Sequence, residues 1–173
     1  MKRILSLSLA LMLALSLLTG CGGTAAESQA PEKTPEELTT LFADAITANG
    51  GEMVEYNPII SASKEDDGSA FLLETLGLKP EDMTAFGISA SMMNVKAYGI
   101  AAVMPAEGKT EAVKEALQGF IDIQQQSFEQ YLADQYEIAK SAKLETLADG
   151  TVLMVMCENS DTVYEAIKSA IEG

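Results

Sequence analysis

The residues able to do chemistry in this chain form a short set. No histidine occurs among its 173 residues. That removes the commonest general base and the commonest metal ligand, and with them serine–histidine and cysteine–histidine catalysis. Acids are abundant, with 26 Asp and Glu against 11 Lys and Arg, so carboxylate pairs arise by chance along the whole chain. Glu129, Asp134 and Glu137, interleaved with Tyr131 and Tyr136, are such a group and read as a solvated helix face. Glu65-Asp66-Asp67-Gly68 is acidic too, but it lacks the ligand spacing of a calcium loop. Cys157 closes the apolar run Val152-Leu153-Met154-Val155-Met156, where a buried strand thiol is expected. No metal site, no cofactor and no glycine-rich phosphate loop is expected.

Two fragments resemble catalytic motifs. Ser61-Ala62-Ser63-Lys64 matches the S-x-x-K of penicillin-recognising serine enzymes. However, Lys109-Thr110 is followed by Glu111 where those enzymes carry glycine, and the chain is short for that fold. Gly87-Ile88-Ser89-Ala90-Ser91 lacks the final glycine of a nucleophile elbow and sits in a strand pattern. Neither is assigned catalysis. Gln124 is different: it falls on an apolar helical stripe between Phe120 and Phe128, and a buried glutamine must find hydrogen-bond partners. It is either a satisfied core or edge residue or a polar group facing a groove together with Tyr131. Gln124 and Tyr131 are therefore the candidate binding residues.

Cys21 has the clearest chemistry. Lys2 and Arg3 precede an uncharged apolar run from Ile4 to Leu18, about 15 residues long and short of the roughly 20 that span a bilayer. That order describes a secretory signal peptide over residues 1–20. Leu18-Thr19-Gly20-Cys21 resembles the lipobox of bacterial lipoproteins. Small residues at Thr19 and Gly20 admit a peptidase, and Cys21 offers the thiol that takes a diacylglyceryl group. One acyl chain gives marginal membrane binding and two or more give stable anchoring, so a lipid anchor at Cys21 is expected to hold the chain at a membrane. With Cys21 acylated, Cys157 has no disulfide partner.

Residues 21–34 are small, polar and proline-containing and read as a flexible tether. Residues 35–173 are long enough for one domain with a real core. Removing the leader, which holds Lys2, Arg3 and no acid, leaves nine basic against 26 acidic residues, a net charge of −17. That argues against nucleic acid and against an anionic bilayer surface as partners, since both require a basic face.

The elements that would position these residues follow from periodicity. Thr34-Pro35-Glu36-Glu37 starts a helix with a cap, a first-turn proline and acids at the positive dipole end, and Asn49-Gly50-Gly51 ends it. Glu52 to Ile60 reads as extended, Ser61 to Gly68 as a loop and Ser69 to Leu76 as a short helix. Thr84 to Met93 alternates with period two, and a second strand covers Val95 to Met104. Its small side, Ala97, Gly99 and Ala101, invites a close approach. A helix from Glu107 to Tyr131 would be about 37 Å long. A helical piece over Tyr136 to Lys143 is followed by strands Leu144 to Ala148 and Thr151 to Cys157, joined at Asp149-Gly150, a hairpin signal. Ser160-Asp161 caps a last helix. The expected fold is α+β: an antiparallel sheet of about four strands in two hairpins, in ββα-ββα order, with helices packed on it.

This layout resembles the uncharacterised Firmicute lipoproteins grouped as domain of unknown function (DUF) 4358. The resemblance covers residues 36–172. It rests on the lipobox and tether, on Gln124-x-x-x-Phe128-x-x-Tyr131 with Tyr136 five residues on, and on Gly150-Thr151-Val152-Leu153-Met154-Val155. Where that family often has a proline two residues after the helix-ending tyrosine, this chain has Ala133, so the helix is expected to run on. The resemblance implies a Gram-positive source and the outer face of the cytoplasmic membrane, and no activity. Two functions remain open: a non-catalytic extracytoplasmic binding module for a protein or cell-wall partner, or a carboxylate-dependent hydrolase acting on cell-wall glycan.

Overall fold

The computed structural model describes residues 33–61 and 67–173. The leader, Cys21, most of the tether and Ala62–Lys64 of the serine–lysine fragment lie outside the described residues. Helix α1 (Pro35–Asn49) begins as its sequence predicts. The Glu37 amide donates to the Thr34 hydroxyl, and the Thr34 amide donates to the Glu37 carboxylate at 2.7 Å. That reciprocal box satisfies two otherwise orphaned donors. A single turn, α2 (Met53–Tyr56), and a two-residue strand, β1 (Ile60–Ser61), then occupy the stretch expected to be extended. They are followed by α3 (Asp67–Thr75), β2 (Met83–Ala90) and β3 (Gly99–Pro105). The rest of the chain forms α4 (Thr110–Phe128), α5 (Ala133–Lys140), β4 (Lys143–Thr146), β5 (Val152–Met156) and α6 (Ser160–Glu172).

The five strands form one antiparallel sheet in the order β1-β2-β3-β5-β4. The two expected hairpins are β2–β3 and β4–β5, and β1 adds a fifth strand at the edge. After β3 the chain crosses the sheet through α4 and α5, and the second hairpin then lays β5 against β3. The architecture is α+β, with helices on both faces. On one face α3, α4 and α5 place Leu72, Leu76, Val113, Leu117 and Phe120 against Phe86, Ile88, Val103 and Met154. On the other, α1 and α6 place Phe42, Ile46, Tyr164 and Ile167 against Ile100, Ala102, Leu153 and Val155.

Double coverage explains where the expectations shift. The period-two pattern of β2 does not divide core from solvent. Gly87 and Ser89, its small and polar side, are both buried, Gly87 under α1 and Ser89 against Asn57 and the Tyr98 hydroxyl. A Cβ on Gly87 would stand 3.0 Å from the Phe42 Cβ and 3.1 Å from the Ala43 nitrogen. The small side of β3 is likewise occupied from within, since a Cβ on Gly99 would meet the Phe120 ring at 3.0 Å. At Gly99 the predicted close approach is thus made by α4, which closes that part of the strand face, while Ala97 precedes β3. Helix α4 has 19 residues, about 28 Å, shorter at both ends than predicted. It does not run on through Ala133: a turn over residues 129–132 separates it from α5.

Two local readings also change. The β4–β5 loop spans three residues, 148–150, because the Leu147 amide donates to the Thr151 carbonyl. Gly150 takes the left-handed position (φ 91°) that such a loop needs. Ser160 does not cap α6; its hydroxyl donates to the Ser141 carbonyl at 2.7 Å and ties α6 to the end of α5. Lys143 and Asp161 form an ion pair beside this contact. No helix of the described residues is long and apolar enough to cross a membrane.

The packing at Gly87 predicts that Gly87→Ala destabilises the fold by about 1–3 kcal/mol, because α1 backbone must move to admit the methyl group. Gly119→Ala is the control. It sits within α4 with nothing near its added Cβ, so it should stabilise by about 0.5–1 kcal/mol. Urea unfolding of both variants measures the difference, and equal midpoints would refute the close contact.

Candidate functional site

With both faces covered, the ends of the strands remain. A cleft of about 420 Å³ opens where β3 begins and β5 ends. Its first wall is the connection from α1 to α2. Gly50 is required there, since a Cβ would fall 2.7 Å from the Ile46 carbonyl oxygen. Gly51, at φ 75°, then turns the chain so that Met53 and Tyr56 of α2 face the opening. The second wall is the tip of the β2–β3 hairpin at Lys96 and Ala97. The third comes from Cys157 and Asn159, with Val163 in the first turns of α6. Asn159 adopts the left-handed conformation (φ 58°), which asparagine tolerates better than most residues.

One buried side chain holds these walls in place. Gln135 of α5 is 4% exposed. Its amide oxygen accepts from the Ala97 backbone N–H at 2.9 Å, and its amide nitrogen donates to the Asp134 carboxylate at 2.9 Å. The hairpin tip is thereby fastened to α5, and the donated bond lowers the Asp134 pKa. Below the cleft, the Ser89 hydroxyl donates to the Asn57 carbonyl at 2.7 Å and meets the Tyr98 hydroxyl at 3.1 Å. Burial pushes the Tyr98 phenol up to about 12, partly offset by that bond with Ser89. Burial pushes the Cys157 thiol up to about 11, with Glu158 adding to the effect. This cysteine, just past the end of β5, is therefore a weak nucleophile.

The rim is polar and charged. Glu52, Lys96 and Glu158 are exposed and line the opening. Lys96 acts on Asp134, whose pKa it helps to lower. Among the described residues, no group of three or more Asp, Glu or Cys is placed to hold a metal ion.

The residues singled out from the sequence lie elsewhere. Gln124 is half-buried on α4, and Tyr131, in the turn after α4, is 84% exposed. Neither lines the cleft. The buried glutamine of this region is Gln135, and Gln125 joins α4 to α5 by donating to the Ala139 carbonyl at 3.3 Å. A signal for Gln135 existed: it stands four residues before Ala139, on the same buried stripe of α5. Glu129, Asp134 and Glu137 are exposed, as expected, and Glu137 pairs with Lys140.

The family model described as "Domain of unknown function (DUF4358)" matches residues 60–157, more than half of the chain. The chain belongs to this DUF4358 family. The matched segment holds the whole sheet together with α3, α4 and α5, and ends at Cys157. Helices α1, α2 and α6, which supply Gly50 to Tyr56 and Val163 of the cleft, flank it. No curated protein and no solved structure matches the chain.

The raised pKa values of Cys157 and Tyr98 set a pH window, which Tyr164, raised by its burial and by its hydrogen bond to Glu145, extends upward. Folded Cys157 and Tyr98 hold their protons to higher pH than the unfolded chain does, from ordinary values of 9.0 and 10.0. Their contribution is therefore intact below pH 9 and is lost as pH rises through about 12. Thermal unfolding measured from pH 8 to 12 should show this fall. Cys157→Ala should remove its lower part, and an unchanged profile in that variant would contradict the burial of the thiol.

Proposed function

We propose that the protein is a lipid-anchored, non-catalytic binding module on the extracytoplasmic face of the cell membrane. The observation that carries the binding reading is the cleft at the strand ends. It is a concave opening with an apolar floor and a few convergent polar groups, the general form of a binding site. The anchor rests on Lys2, Arg3, the apolar run and Leu18-Thr19-Gly20-Cys21. The acidity of the mature chain favours a protein or cell-wall partner over nucleic acid, and its net charge supports solubility outside the membrane.

The wild-type chain, expressed in a Gram-positive host, is expected in the membrane fraction, and Cys21→Ser is expected to leave it. Crosslinking in intact cells followed by pull-down should recover a partner from the wild type. Equal membrane fractionation of both forms would refute the anchor, and the absence of any crosslinked partner would count against the binding module.

One observation favours a second reading. Glu52 and Glu158 line the same cleft, and a pair of carboxylates is the machinery of glycan hydrolysis. Against it, the acid of such a pair is usually kept protonated by an apolar surround, and both residues are exposed. Purified peptidoglycan incubated with the protein is expected to release no reducing ends. Release by the wild type and its loss in Glu52→Gln and Glu158→Gln would replace binding by hydrolysis.

A further inference from the structure

Resting on the binding reading, we infer that the cleft receives an apolar side chain of a basic polypeptide, with the tip of the β2–β3 hairpin as its adaptable wall. Three observations meet here. The first is the distribution of exposed apolar side chains. Tyr56, which lines the cleft, is 75% exposed, and Met92, Met93 and Val95, 44–57% exposed, stand on the hairpin tip next to the lining residues Lys96 and Ala97, whereas Phe71, Ile123 and Tyr131 are exposed away from it. Two adjacent methionines are unusual on a surface exposed to water. Their unbranched, polarisable side chains reshape around a partner at little cost. The floor behind them is apolar, with Met53, Ile138 and Val163.

The second observation is charge. Glu52, Glu158 and Lys96 all line the opening and none of them forms an ion pair among the described residues, while the Asp134 carboxylate lies close enough to Lys96 for the two charges to interact. The rim therefore carries an excess of negative charge on a mature chain of net charge −17. Such a field steers cationic partners toward the opening and repels anionic ones. A purely apolar ligand would leave this rim unused. A small inorganic cation would leave the apolar floor and the methionines unused. A polypeptide that alternates apolar and basic side chains uses both.

The third is placement. The chain enters α1 at Thr34, and Gly50 and Gly51 at the other end of the same 15-residue helix line the cleft, about 22 Å away. The opening thus lies at the opposite end of α1 from Thr34. The volume, about 420 Å³, suits a few side chains rather than a whole folded element.

The test uses the mature chain carrying Cys21→Ser, labelled with nitrogen-15. The probes are a capped heptapeptide of alternating lysine and leucine and its glutamate–leucine counterpart. The lysine peptide should shift the amides of Gly51, Lys96, Ala97 and Asn159, and bind at least about tenfold more tightly than the glutamate peptide. Glu52→Lys combined with Glu158→Lys should weaken it by about tenfold and remove its salt dependence. Met92→Ser with Met93→Ser should weaken it severalfold while the rest of the spectrum stays in place; both pairs are exposed, so folding is preserved. Equal binding of the two peptides, or shifts confined to residues away from the cleft, would overturn the proposal. If soluble peptidoglycan fragments shift the cleft amides and the lysine peptide does not, the polypeptide assignment fails while the binding reading stands. If neither probe shifts them, the assignment fails as well, and the binding reading then rests on the crosslinking result alone.

Discussion

The constraint on which the rest of this structure depends is the double burial of β3 and β5. Both strands are covered by helices on each face, so every side chain along them must fit under something. A small residue stands where a helix comes close, at Gly99 of β3 beneath Phe120, as Gly87 of the neighbouring β2 does beneath α1. Larger ones stand where there is room, as at Val103, Leu153 and Met154. Close packing of this kind tolerates little change of volume, and it leaves no strand face for a ligand. Any binding by the sheet is displaced to the ends of its strands.

The cleft is the consequence at one such end. Three connections and α5 converge there, and each is shaped by a local device. The Gly50-Gly51 pair allows α1 to break sharply into α2. Asn159 reverses the chain from β5 into α6 in a left-handed conformation. Gln135 supplies the partner that the buried Ala97 amide would otherwise lack, and an unmet buried donor costs about 1–3 kcal/mol. The polar pairing of Ser89 with Tyr98 and Asn57 does the same work beneath the opening. These contacts satisfy buried groups first. Their by-product is an ordered rim on which Glu52, Lys96 and Glu158 are displayed.

The DUF4358 match draws a boundary through this arrangement. It encloses the sheet and the α3–α4–α5 layer, while α1, α2 and α6 lie outside residues 60–157. The walls of the cleft come from both sides of that boundary: Lys96, Ala97, Gln135 and Cys157 from within, and Gly50 to Tyr56 and Val163 from without. The matched segment alone therefore does not enclose the opening, and the flanking helices complete it.

The sequence by itself determined the class of fold and most of its elements. Hairpins, helix starts and the α+β order follow from short-range rules: the Thr34–Glu37 cap, the alternation of β2, and the 3.6-residue stripe of Val113, Leu117, Phe120 and Phe128. It also determined what the chain lacks, since the absence of histidine is a matter of composition. What only the tertiary structure decided is which faces meet. Alternation in β2 looks the same whether its small side faces water or α1, because periodicity reports that two faces differ and not what covers each. The choice between Gln124 and Gln135 has the same cause. Both sit on helical stripes, but only Gln135 is carried to an unpaired backbone amide 38 residues away in sequence, and that meeting is set by how α5 docks on the sheet. The fifth strand was hidden because β1 is two residues long, too short for a period of two to register, and it exists only because β2 offers it an edge.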